Sequence, residues 1–407
     1  MRNVVFLGLI SFFTDFSTEM VYPLIPLYLV GTFGATHILV GIIEGIAESL
    51  ASLLKVYSGY LTDRFKKKKA LAFSGYAAGL FYKFALIFAA SWIGILGARV
   101  LDRLGKGIRT APRDVLVSES TDKENMGKAF GLHKALDMFG AGLGILVVYL
   151  LISHSGGNYD YKRLFLFSAI PAVLGLFMFF FVKEKKSGLT AAAAGTVNAD
   201  TVKKEKPVRP PFWKNIDKID GQLKLYLLVV FIFTLGNSSK AFMILKASDA
   251  GFNEVNVILL FFIYHAVAAI LSVPMGKLSD KIGRKNLLVP GYIIFAVCYI
   301  GFAFAETKMA MISLFSLYGL YTAMITGVER AFVAEIAPEN LKGTMLGLHS
   351  TIAGIALLPA SIIAGILWTG FGSSVPFIFG ASLSLLAAVL LFIFMTPKKV
   401  ISSRSTG

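Results

Sequence analysis

The residues with chemistry to offer in this chain are ionic side chains set inside long apolar runs. Asp15 and Glu19 stand four residues apart in the first run, and Glu44 and Glu48 four apart in the second. On a helix each pair shares one face. The fourth run carries Arg99, Arg103, Lys106, Arg109 and Arg113 at steps of three or four, which makes one basic stripe on a helix. Asp102 sits beside that stripe, and Lys55, Lys83, Lys134 and Asp137 lie in neighbouring runs. Leaving out Arg113, near the end of its run, six acids stand against seven bases. An unpaired ion at the bilayer centre costs about 2.5–3.5 kcal/mol on insertion scales. The near-balance therefore points to mutual pairing around a polar cavity. The chemistry on offer is ion binding and proton exchange.

Such charges need helices to carry them. Of 407 residues, 56% are hydrophobic and only 16% charged, where soluble proteins carry about 25% charged. Twelve runs, at about 3–30, 38–61, 70–90, 92–117, 127–152, 163–182, 223–248, 254–277, 286–305, 309–335, 342–368 and 374–395, are long enough to cross a bilayer. A rise of about 1.5 Å per residue puts Asp15, Glu48, Arg103 and Asp137 about 15–18 Å into their spans, near the midplane. The chain reads as an all-α polytopic membrane protein. A soluble enzyme and a nucleic-acid-binding domain are excluded.

The net charge of +16 follows topology. Arg64 with Lys66 to Lys69, Lys123 with Lys128, the Lys183–Lys218 stretch, Lys281 with Arg284 and Lys285, and Lys342 follow spans 2, 4, 6, 8 and 10. The opposite loops hold little beyond Lys162, Arg163 and Lys308. Cytoplasmic loops collect basic residues, so both termini are expected in the cytoplasm. The lone cysteine, Cys298, allows no disulfide or cysteine metal cluster within one chain. The first run continues past Pro23 with no small-residue cleavage site, so it is expected to stay as a span. Pro23, Pro26, Pro274 and Pro359 are expected to kink helices near their ends.

Residues 183–222 stand apart as polar and basic, with a Pro207–Pro211 cluster. They read as a cytoplasmic linker, either lying at the anionic inner leaflet or simply solubilising. It would divide six spans in 1–182 from six in 223–407. The halves repeat: Gly59-Tyr-Leu-Thr-Asp63-Arg64 matches Gly276-Lys-Leu-Ser-Asp280-Lys281 at an offset of 217. Gly127-Lys-Ala-Phe-Gly131-Leu132-His133 matches Gly343-Thr-Met-Leu-Gly347-Leu348-His349 at an offset of 216. Arg113 and Arg330 are also 217 apart. Two pseudo-symmetric six-helix bundles account for these matches.

The loop after span 2, with Gly59, Asp63, Arg64, Lys67 and Lys68, resembles the signature loop of the major facilitator superfamily of secondary transporters. The copy with Gly276, Asp280, Lys281, Gly283, Arg284 and Lys285 matches that pattern more closely still. With twelve spans and a central loop, the resemblance covers the whole chain. It implies two bundles rocking about a midplane site, with spans 1, 4, 7 and 10 lining the cavity. It also implies gating pairs, here Asp63 and Arg64 with Arg113, and Asp280 with Arg330. The alternative for these residues is topology-setting charge in a solvated loop. Glu329 beside Arg330 reads as a gate residue too. Gly131, Gly140 and Gly144 resemble the span-5 spacing of drug–proton antiporters, although Ile145 stands where that pattern has proline.

Within that frame, Arg103, Lys106 and Arg99 are the expected contacts for an anionic group. Asp15, Glu19, Glu48, Asp102 and Asp137 are the expected proton carriers. In span 7, Asn237, Ser239 and Lys240 beside Gly236 are candidates for solute contact, with bonding between helices as the alternative. His265, midway in span 8, is a titratable group at mid-depth. The alternative for the whole set is a static network that only holds the helices together. The expected partners are a small organic solute, protons and the lipid bilayer, with no nucleic acid, metal or cofactor, and a monomer in the plasma (inner) membrane. The expected function is proton-coupled transport, as export by antiport or, alternatively, uptake of an anionic or zwitterionic metabolite by symport. No H-E-x-x-H, G-x-S-x-G or phosphate loop with lysine is present to suggest an enzyme. A scramblase or receptor would not need the doubled loop motif.

Overall fold

Backbone in hydrocarbon must satisfy its own N–H and C=O groups, and the apolar runs do so as helices. The computed structural model describes residues 2–65, 68–121, 126–155, 159–184, 220–337 and 342–395. Most of the expected linker, residues 185–219, lies outside the described residues. No strand occurs among the described residues. Span 1 is α1 (Arg2–Val21) and α2 (Leu24–Phe33); spans 2 to 6 are α3 (His37–Phe65), α4 (Lys68–Phe88), α5 (Trp92–Glu119), α6 (Met126–His154) and α7 (Tyr161–Met178). Span 7 is α8 (Gly221–Gly236) and α9 (Ala241–Asp249), followed by α10 (Glu254–Ile282) and α11 (Arg284–Phe304). Span 10 is α12 (Lys308–Ile325) and α13 (Val328–Ile336), followed by α14 (Lys342–Phe371) and α15 (Val375–Phe394).

Eleven helical segments among the described residues are long and apolar enough to cross a membrane. The remaining span, α5, has 28 residues but carries the basic stripe, which lowers its hydropathy. Three spans expected as continuous are broken. Pro23 has no N–H to donate, and span 1 is interrupted at Tyr22 and Pro23. Span 7 opens between Gly236 and Ala241, and span 10 at Thr326 and Gly327. Pro274 and Pro359 lie inside the unbroken helices α10 and α14.

Packing repeats between the two sets of helices. In the first, α1 packs on α6 and α7, α3 on α5, and α4 on α5 and α7. In the second, α8 packs on α14 and α15, α10 on α12, and α11 on α12 and α15. Each of the five pairings has its counterpart six spans later. Between the sets, α3 lies along α14, α6 touches α10, and α2 touches α9.

The two ends of the molecule differ. Asn3 Nδ2 donates to the Lys183 carbonyl at 3.0 Å, and Gln222 Nε2 to that of Phe394 at 3.3 Å. This end, here the terminal end, holds ion pairs that each stay within one set, such as Lys68–Glu119 and Arg284–Glu335. At the distal end the sets are joined. The His37 and Trp368 rings stack at 4.6 Å, and a Cβ on Gly41 would lie 2.2 Å from the Ser361 carbonyl oxygen. Glu254, opening α10, accepts from the hydroxyls of Tyr159 and Tyr161, the latter at 2.6 Å.

Candidate functional site

The breaks in spans 1 and 7 meet at the deepest ion pair. Arg99 Nη2 of α5 donates to both carboxylate oxygens of Glu44 on α3 at 2.7 Å. The Tyr22 ring centre lies 5.3 Å from the guanidinium carbon. Ser239, in the span 7 break, donates to Glu44 at 3.4 Å and so links the two sets. Arg99 is 0% exposed and Glu44 1%. Buried charges persist when they are paired, and this pair is. Arg99, expected to touch a solute, is fully buried here with its Nη2 held by Glu44, behind the wall of the site.

One turn further along α5, Arg103 Nη2 reaches Glu48 at 2.8 Å. Asp102 lies behind, 3.7 Å from Arg103 Nε and 4.0 Å from Arg99 Nη1. Arg103 and Asp102 are buried, whereas the Glu48 side chain is 33% exposed. Asp102, expected to carry protons, therefore sits in the wall between two arginines. Arg109 and Lys83 are also buried, each over an aromatic ring, Tyr76 at 4.6 Å and Tyr82 at 4.4 Å. A desolvated cation over a ring gains about 2 kcal/mol. The basic stripe is thus divided: Arg99, Arg103 and Arg109 turn into the first set, and Lys106 remains half-buried.

A second layer is reachable. Asp15, Glu19, Glu48, Lys106, Asp137 and Lys240 are all half-buried at mid-span depth. Asp15 and Asp137 lie within hydrogen-bonding range of each other, and Asp137 also accepts from Lys134 at 2.7 Å. Glu19 Oε2 stands 3.9 Å from His265 Nε2 of the second set. His265 Nδ1 is hydrogen-bonded to the Phe261 carbonyl oxygen at 3.0 Å. The Lys240 ammonium is 4.9 Å from the Tyr264 ring centre and within electrostatic range of Glu19 and Glu48. Acids of α1 and α3 therefore face a lysine and an imidazole of the second set across a polar crevice. Asn237 instead donates to the Tyr321 hydroxyl at 3.2 Å, a bond inside its own set.

The expected gate pairs fare differently. The side chains of Asp63 and Arg64 lie outside the described residues. Arg113 pairs with Asp114 of its own helix at 2.8 Å. Asp280 lies 3.7 Å from Arg284, and Arg330 is exposed, so the expected pair of Asp280 with Arg330 is not made in this distally closed state. Gly283, at φ 90°, turns the chain between α10 and α11 and brings Arg284 back beside Asp280. Arg284 also reaches Glu335 at 2.7 Å. Sequence reasoning missed the Glu254–tyrosine contact, because three isolated residues at run ends make no periodic pattern. Gly140 and Gly144 have a plain packing role. A Cβ on either would lie 2.2 Å from the carbonyl oxygen of Phe12 or Phe16, so they let α6 lie against α1.

Two sets of six membrane spans, with paired ions at the midplane and one end drawn together, define a polytopic carrier fold. The profile of the Major Facilitator Superfamily matches residues 7–268 and 225–407, and the chain belongs to that family of transporters. An uncharacterized MFS-type transporter of Methanocaldococcus jannaschii is 36% identical over 396 residues, 96% of this chain and 94% of the relative. The multidrug resistance protein MdtG of Escherichia coli is 22% identical over 95% of this chain and 93% of its own. Among solved structures, the nucleoside transporter NupG (D323A mutant) shares the fold with a TM-score of 0.77 at 12% identity, covering 96% of this chain and 99% of that one.

Proposed function

We propose that this transporter exports a small organic solute bearing a cationic group, in exchange for protons. The observation that carries the reading is the reachable acid layer of Asp15, Glu19, Glu48 and Asp137 at mid-depth. A cation and a proton compete for the same carboxylates, so binding of one expels the other. Competition for one site during alternating access is antiport. Lys106 and Lys240, half-buried at the same level, suit an anionic group on the same solute, which makes a zwitterion the best match. The name of the MdtG relative supports export. The basic loops support a cytoplasmic terminal end, with both termini inside and the chain in the plasma membrane.

The Glu48–Arg103 pair favours a second reading. Protonating Glu48 would free Arg103 for an anion, and the two would then move together as symport. The two readings differ in sign. Purified protein in sealed vesicles is loaded with acid or with alkali and offered candidate zwitterions. Accumulation into acid-loaded vesicles, abolished by a protonophore, is the antiport result. Accumulation driven by acid outside is the symport result. Uptake indifferent to both gradients would discard proton coupling.

A further inference from the structure

The second set of helices contains an ionisable cluster that the crevice does not use. Glu329 opens α13, and its Oε1 accepts from the Tyr292 hydroxyl of α11 at 2.9 Å. Its Oε2 stands 3.8 Å from His349 Nε2 of α14. That nitrogen is buried and has no hydrogen-bond partner, and His349 as a whole is 7% exposed. The Tyr226 ring of α8 lies parallel to the imidazole at 6.4 Å. Tyr321 of α12 is within electrostatic range of Glu329, as is Arg330, the next residue on α13 and exposed. Each helix packed on α13 thus presents a named group, and among the described residues Arg330 is the permanent charge within electrostatic range of the carboxyl.

The repeat sharpens the observation. His133 occupies the matching place in the first set, since both histidines end the same seven-residue motif. There the imidazole has a neutral partner: His133 Nε2 and Ser11 Oγ are 2.9 Å apart, and Ser11 in turn meets the Tyr76 hydroxyl at 3.1 Å. In the second set, Tyr292, 216 residues after Tyr76, keeps a hydroxyl, but a carboxylate and the Tyr226 ring stand by the imidazole where the first set has Ser11. A buried polar atom without a partner is costly, yet the gap between Nε2 and Oε2 is one that a single proton would close. A charge-assisted bond between such atoms spans about 2.7–2.9 Å.

From this juxtaposition we propose that Glu329 and His349, held by Tyr292 and Tyr226, form a second proton-binding site, separate from the carboxylates of the crevice. The proton arrives from water at the terminal end and bonds to the Glu329 carboxyl, which can then donate to the unpartnered His349 Nε2. No other bond changes. Proton binding here stands by itself; its use in driving a solute rests on the proposed function above.

Infrared titration of the full-length protein in lipid tests it without a transport assay. Lowering the pH should raise a carboxylic-acid band, one component of which is absent from Glu329→Gln. His349→Asn should move the midpoint of that component by about one pH unit or more, and Tyr292→Phe should move it as well while leaving the carboxyl in place. If Glu329→Gln does not fold, the midpoint shifts in the other two variants carry the test. A titration unchanged in Glu329→Gln, or unmoved in both His349→Asn and Tyr292→Phe, overturns the site. Vesicles that show no proton-driven transport would remove the proposed function and leave this titration intact.

Discussion

At the residue scale, burial sorts the charges by task. Glu44 and Arg99 are withdrawn from water and bonded to each other, while Glu48 keeps a third of its side chain exposed beside a buried Arg103. Arg99→Leu strands the Glu44 carboxylate and should lower stability by about 3–5 kcal/mol, seen as a clear fall in the melting temperature of purified protein. Replacing both partners by leucine should recover much of that loss. Glu48→Gln should lower melting less than Arg99→Leu, because the amide can still accept from Arg103 and the side chain already meets water. The same variant should reduce gradient-driven accumulation at least about tenfold. Wild-type accumulation in Glu48→Gln would show that the pair is structural.

Helix contacts set the next scale. The approach of α6 to α1 depends on Gly140 and Gly144, whose missing side chains admit the Phe12 and Phe16 carbonyl groups. Gly140→Val should force the helices apart and cost about 1–3 kcal/mol. Gly142 has open space where a Cβ would go, so Gly142→Val should be tolerated. Equal yields and melting temperatures for the two variants would remove the packing role. The breaks in spans 1 and 7 belong to this scale as well. They place Tyr22 and Ser239 beside one ion pair, which an unbroken helix in either span would not do.

For the whole molecule, the contacts describe a state closed at the distal end, with Glu254 held by two tyrosines from the other set. Glu254→Gln weakens both bonds, since a neutral amide accepts less strongly than a carboxylate. The distal end should then open more often. A cysteine introduced as Asn237→Cys should react several-fold faster with a membrane-impermeant thiol reagent added on that side. The native Cys298 is buried and gives little background. Unchanged labelling would mean that the other contacts between the sets, such as α3 along α14, hold the end shut without Glu254.

Much of this was legible in the order of residues. Run lengths near 20 and the doubled motif at offsets of 216 and 217 already required twelve spans in two related sets, because hydrocarbon admits no other backbone at such lengths. Helical spacing likewise placed Asp15 with Glu19, and Arg99 with Arg103, each on one helix face, and the rise per residue put Asp15, Glu48, Arg103 and Asp137 near mid-depth. Periodicity reports which face a residue occupies, but not what stands opposite. Only the packed helices decided that Arg99 would pair with Glu44, that Arg284 would reach Glu335, and that His349 would face Glu329. Those choices depend on distances between segments far apart in the chain, and a pattern along one helix carries no record of them.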